Sequence, residues 1–97
     1  MHVAQISGET TIDDGRIRVT RWAFDRAGDK TGFHVHEFDY VVVPITGGRL
    51  TATDADRATT EMVQVAGASY TGPAGRAHDV AAQEDGVVFV EVELLQD

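Results

Sequence analysis

GFHVHEFDYVVVP, Gly32 to Pro44, sets two histidines one residue apart at the head of a run of β-formers. On a strand, residues two apart share a face. His34 and His36 therefore project together, with Phe38, Tyr40 and Val42 continuing that face. Val35, Glu37, Asp39 and Val41 point the other way. Two imidazoles entering an apolar interior are costly without partners, and a divalent metal is an efficient partner. A His pair taken alone is more often structural or solvent-facing, so both readings stand at this point.

Around this stretch the chain reads as strands and tight turns. Arg16 to Phe24, RIRVTRWAF, is rich in β-branched and aromatic residues. Its alternation is imperfect, which calls for a bulge near Thr20 or for cover on both faces. Phe33 to Ile45 reads as one extended stretch closed by the turn Thr46 to Gly48, with Arg49 to Thr53 returning as the other arm of a hairpin. Pro44 should mark an edge or a bulge, since it cannot donate to a ladder. Thr60 to Val65 is a further strand, and Gly67 to His78 holds too many turn formers for a helix. Val87 to Leu95, VVFVEVELL, is the clearest strand. Val88, Val90, Val92 and Leu94 lie on one face, and Glu91 and Glu93 on the other, most simply a solvated face. No amphipathic helix of useful length appears, so the expected class is an all-β sandwich or barrel.

Composition narrows the function. Ninety-seven residues suit a single domain, 1–97. The absence of cysteine excludes disulfides, zinc-finger ligation and thiol nucleophiles. A formal charge of −8 with one lysine argues against nucleic acid, whose phosphates need cationic partners, and against an anionic membrane surface. MHVAQISGETT carries neither a basic region nor an apolar run, and no stretch reaches membrane-span length, so a cytoplasmic location is expected. His2, near a terminus, adds nothing to the histidine pattern.

The remaining histidine, His78, closes a turn-rich segment containing Pro73 and Gly75. Read together, the two segments resemble the cupin superfamily. Gly28, His34, His36 and Gly47 fall on the spacing of its first motif, and Gly67, Pro73, Gly75 and His78 on that of its second. The motifs, 28–47 and 67–82, together span Gly28 to Ala82, over half the chain. The resemblance implies a double-stranded β-helix, a jelly-roll barrel, in which two histidines, a glutamate and a third histidine bind one metal. Two positions depart from the pattern: Tyr40 occupies the glutamate slot and Ala82 the final asparagine slot. The ligands carried over are His34, His36 and His78. Asp39 would replace the carboxylate only if a bulge at Phe38 rotated it inward.

A site of neutral imidazoles suits Fe(II), the favoured ion here, with Zn, Ni, Mn or Cu as alternatives. Without a protein carboxylate its charge calls for a small anionic ligand in the open positions. Cupins that lack the glutamate include thiol and diketone dioxygenases, so the resemblance implies a metal-dependent enzyme, oxygenase first and isomerase or hydrolase next. The alternative is a non-catalytic module that binds a metal or small ligand. Tyr40 is the candidate catalytic residue, as hydrogen-bond donor to a bound anion, acid or base, or direct ligand; its bland reading is a core tyrosine. Arg16, Arg18, Arg21, Arg26 and Arg76 are candidates for clamping a substrate carboxylate. The stretch HEFDYVVVP also resembles small single-domain cupins associated with β-alanine degradation. A homodimer is a further expectation, with the apolar strand Val87 to Leu95 offering a surface.

Overall fold

The computed structural model describes residues 4–95, so His2 lies outside it. Nine strands follow in chain order: β1 Glu9–Asp13, β2 Ile17–Phe24, β3 His34–Val35, β4 Tyr40–Pro44, β5 Gly48–Thr53, β6 Thr59–Gln64, β7 Tyr70–Gly72, β8 Ala77–Ala82 and β9 Val87–Leu94. They form two antiparallel sheets, ordered β1-β2-β9-β4-β7 and β3-β8-β5-β6. The all-β architecture expected from the short, glycine-punctuated strands is the one observed. No helix among the described residues is long and apolar enough to cross a membrane.

Several local expectations give way to this topology. The stretch 33–45 is two strands in different sheets, β3 and β4, with the chain crossing between layers at 36–39. β5 accordingly does not return along β4; it pairs with β6 and β8 in the opposite sheet. Pro44 sits on an interior strand and is fully buried. It is tolerated because pairing of β4 with β7 runs only from Tyr40 to Val42, leaving no ladder partner there for the missing N–H.

Register settles which faces are inside. β2 pairs with β9 without interruption from Ile17↔Leu94 to Phe24↔Val87, so no bulge interrupts it near Thr20; the irregularity lies in β1, between Thr10 and Ile12. Across β2, β9 and β4 the interior rows are Arg18–Glu93–Tyr40, Thr20–Glu91–Val42 and Trp22–Phe89–Pro44. Ile17 and Val19 remain half-buried on the outer face. The glutamates of β9 therefore point inward, and Val88, Val90 and Val92 form a half-buried outer face. The expectation of a solvated glutamate face is corrected. Val87 and Phe89, both buried, share the glutamates' parity and set the orientation of the strand.

The core fills the space between the sheets with Phe24, Val87, Phe89 and Val42 from one layer and Leu50, Ala52, Val80 and Ala82 from the other. The rings of Phe24 and Phe89 pack with centroids 5.8 Å apart. Fully burying side chains of this size contributes roughly 1.5–3 kcal/mol each. Beyond this apolar plug the interior turns polar, and the histidines lie there.

Candidate metal centre

β3 is only two residues long, yet it carries the site. His34 is the register partner of His78 on β8, and Val35 that of Ala77. The ladder continues past the strand end: the His36 N–H donates to the Arg76 carbonyl at 2.8 Å, and the His36 carbonyl accepts from the Gly75 N–H at 2.7 Å. Gly75 makes this possible with φ of 91°, which a residue with a Cβ adopts only under strain. The Pro73–Gly75 turn thus delivers His78 beside the His34–His36 pair.

The three imidazoles converge through their Nε2 atoms. His36 Nε2 lies 3.2 Å from His34 Nε2 and 3.1 Å from His78 Nε2. Among the described residues these three are the group of ligand-type side chains that could hold a metal ion, their ligand atoms all within 4.8 Å of one another. Metal–nitrogen bonds of about 2.0–2.1 Å keep neighbouring ligands roughly 3 Å apart, so the observed spacing fits a shared cation. Burial, reinforced by the neighbouring histidines, pushes His36 and His78 down from 6.5 to about 4, which keeps them in the neutral form that ligation requires.

Surrounding groups orient the set. His34 Nδ1–H donates to the Gly32 carbonyl at 2.9 Å, which fixes the tautomer with its Nε2 lone pair toward the centre. Gly32 is held in turn by its N–H to Asp79 Oδ1 at 3.1 Å, and Thr31 Oγ1 accepts from the Val80 N–H at 3.1 Å. The residues after His78 thereby brace the residues before His34. His78 lacks such support: its Nδ1 is buried with no hydrogen-bond partner among the described residues.

Tyr40, in the slot of the missing glutamate, is buried and stacks on His36 with centroids 3.9 Å apart and planes at 20°. Burial pushes its phenol up, so it stays protonated. Gly72 lies directly opposite on β7, and a Cβ there would overlap the Tyr40 ring. Asp39 does not enter the site. It is exposed, and its Oδ1 accepts from the Ala74 N–H at 2.8 Å; Glu37 is exposed as well.

A cavity of about 30 Å³ adjoins the histidines, bounded by Trp22, Tyr40, Val42, Met62, Tyr70, Arg76, Phe89 and Glu91 among others. One water needs roughly 10–15 Å³ on the same measure, so only a ligand of a few heavy atoms fits. Of the arginines, Arg18 reaches inward, but its fork is taken by Glu93, with Nε to Oε1 at 2.8 Å and Nη2 to Oε2 at 2.9 Å. Arg76 lines the cavity at an exposed position, while Arg16, Arg21 and Arg26 are exposed and do not line it. Glu91 is the lining residue that sequence reasoning missed. The available signal was its shared parity with Phe89, outvoted by the valines of the other face.

Comparison with known proteins agrees with this architecture. No family model matches the chain. It is 42% identical over 86 residues to the β-alanine degradation protein BauB of Pseudomonas aeruginosa, covering 86% of each. A crystal structure of a cupin domain from Bordetella pertussis superposes with a TM-score of 0.90 at 36% identity, over 97% of both chains. A conserved protein of Klebsiella pneumoniae with a double-stranded β-helix domain shares the fold at 16% identity, TM-score 0.75, over 93% of this chain and 76% of that one. With its two histidine motifs meeting inside a double-stranded β-helix, the chain belongs to the cupin superfamily.

Proposed function

We propose that this cupin is a metal-dependent enzyme acting on a small anionic metabolite, with His34, His36 and His78 holding one divalent transition ion, Fe(II) in preference to Zn, Ni, Mn or Cu. The convergence of three Nε2 atoms with no carboxylate among them carries the reading. When bound, such an ion offers open positions and Lewis acidity to an anion and, as Fe(II), reactivity toward dioxygen. Tyr40, stacked on His36, is the donor proposed to face the bound anion. The small volume of the cavity limits the substrate to a few heavy atoms. The name of the Pseudomonas relative supports a place in small amino-acid breakdown.

The test is anaerobic reconstitution with Fe(II), followed by oxygen uptake against amino acids, thiols and diketones. Rapid consumption with one substrate, abolished in His36→Ala, supports an oxygenase. Tight binding without turnover supports the second reading, a metal- or ligand-binding module, which the small cavity also favours. We further propose a homodimer, supported by the outer valines Val41, Val43, Val88, Val90 and Val92, paired across β4 and β9 as Val41↔Val92 and Val43↔Val90. Light scattering should give twice the chain mass for the native protein, and the chain mass for Val90→Asp.

A further inference from the structure

Lining the same cavity as the histidines stands a carboxylate that the metal reading leaves unused. Glu91 is half-buried in the row Thr20–Glu91–Val42 and lines the same cavity as the three histidines. It does not belong to the metal-holding group. The cation of the neighbouring row, Arg18, gives its Nε and Nη2 to Glu93 and only partly offsets the charge of Glu91. Among the described residues no hydrogen bond or ion pair reaches the Glu91 side chain. A charge withdrawn from water toward Phe89, Trp22 and Met62 is costly unless a ligand compensates it. Burial, with the charge of Glu93 adding to it, pushes the Glu91 carboxyl up to about 7.

The same small space therefore presents three kinds of group. Three imidazoles converge on one point, Arg76 brings a positive charge to the rim, and Glu91 a carboxyl group. We infer that Glu91 is a specificity-determining residue that receives the protonated amine of a small amino acid whose carboxylate is held by the metal ion and Arg76. The inference rests on the metal-site reading above and sharpens its anionic substrate to a zwitterionic one. A plain carboxylate of the same length meets the same ion but offers Glu91 no cation, and it binds more weakly for that reason. An amine lacking the carboxylate reaches Glu91 but leaves the ion and Arg76 unused.

Three probes of equal carbon length separate these cases: β-alanine, propanoate and propylamine, titrated calorimetrically into Zn(II)-loaded protein whose metal content is measured on the same samples. Wild-type protein should bind β-alanine at least about tenfold more tightly than either of the others. Glu91→Gln, nearly isosteric, should lose the advantage over propanoate while its propanoate affinity holds or rises. Arg76→Gln, at an exposed position that the core does not need, should weaken β-alanine and propanoate but not propylamine. Equal affinity of the wild type for β-alanine and propanoate overturns the inference, as does an undiminished preference in Glu91→Gln. If the wild type takes up no stoichiometric metal, the proposed function fails separately. Propylamine then decides the role of Glu91: weaker binding in Glu91→Gln supports it, and unchanged binding overturns it.

Discussion

His34 and His78 are register partners across the β3–β8 ladder, so backbone hydrogen bonding brings the two histidine motifs together. Directly opposed residues of an antiparallel pair have Cβ atoms about 4.5–5.5 Å apart and project on the same face. The site is thus positioned by the sheet, with one ligand from each of two paired strands facing the same side.

His78→Ala should abolish stoichiometric metal while leaving the fold intact. It removes the one ligand from the second motif, and the two that remain, His34 on β3 and His36 just past its end, come from one short segment. Glu37→Ala, on the exposed side of the crossover, should leave metal content unchanged. Elemental analysis of the purified, reconstituted proteins reads both; full occupancy in His78→Ala would contradict the ligand set.

Chelator-treated protein should lose stability on acidification. His36 and His78 are held down from 6.5 to about 4, so between those values the unfolded chain takes up protons that the folded one refuses. The stability present above 6.5 is lost progressively as the pH falls toward 4. Urea midpoints across that window should decline, and added metal should raise them at neutral pH.

Glu91 opposes that trend. Its folded carboxyl is raised from 4.5 to about 7, so the folded chain protonates first and gains stability as the pH falls from 7 to 4.5. Glu91→Gln should therefore be more stable than wild type above pH 7, by on the order of 2 kcal/mol, with the difference shrinking toward pH 4.5. A constant difference across the range would show that Glu91 is not desolvated.

Gly72→Ala should destabilise the protein by about 1–3 kcal/mol, the usual cost of overpacking. Its Cβ would fall on the Tyr40 ring and press it against His36. The penalty should shrink in a Tyr40→Ala background, and a double-mutant cycle on urea midpoints measures the coupling. Additive effects would mean that the two residues are not in contact.

Much of the site was legible in the sequence because it depends on short-range geometry. His34 and His36 share a face through the period of two, and that parity survives the break at 36–39, since Tyr40 and Val42 also face inward. Pro73 and Gly75 sit at a fixed distance from His78, and the turn they form is local. The break itself was not read: Glu37 and Asp39, both poor strand formers, mark it, but the period of two carried through them to the β-formers of Tyr40 to Val43. The return of β5 along β8 instead of β4 is likewise a matter of partners distant in sequence.

From the residues alone came the all-β character and the shared face of His34 and His36, since strand period and turn chemistry act over a few residues; His78 as a third ligand and the carboxylate slot at Tyr40 came from the resemblance to the cupin motifs. Tertiary structure alone decided which side of β9 faces inward. Counting valines points Glu91 and Glu93 toward water, whereas the pairing with Arg18, Thr20, Tyr40 and Val42 turns them inside. An interior carboxylate is tolerated only where distant chain segments supply a counter-charge or a cavity, and no local pattern carries that information.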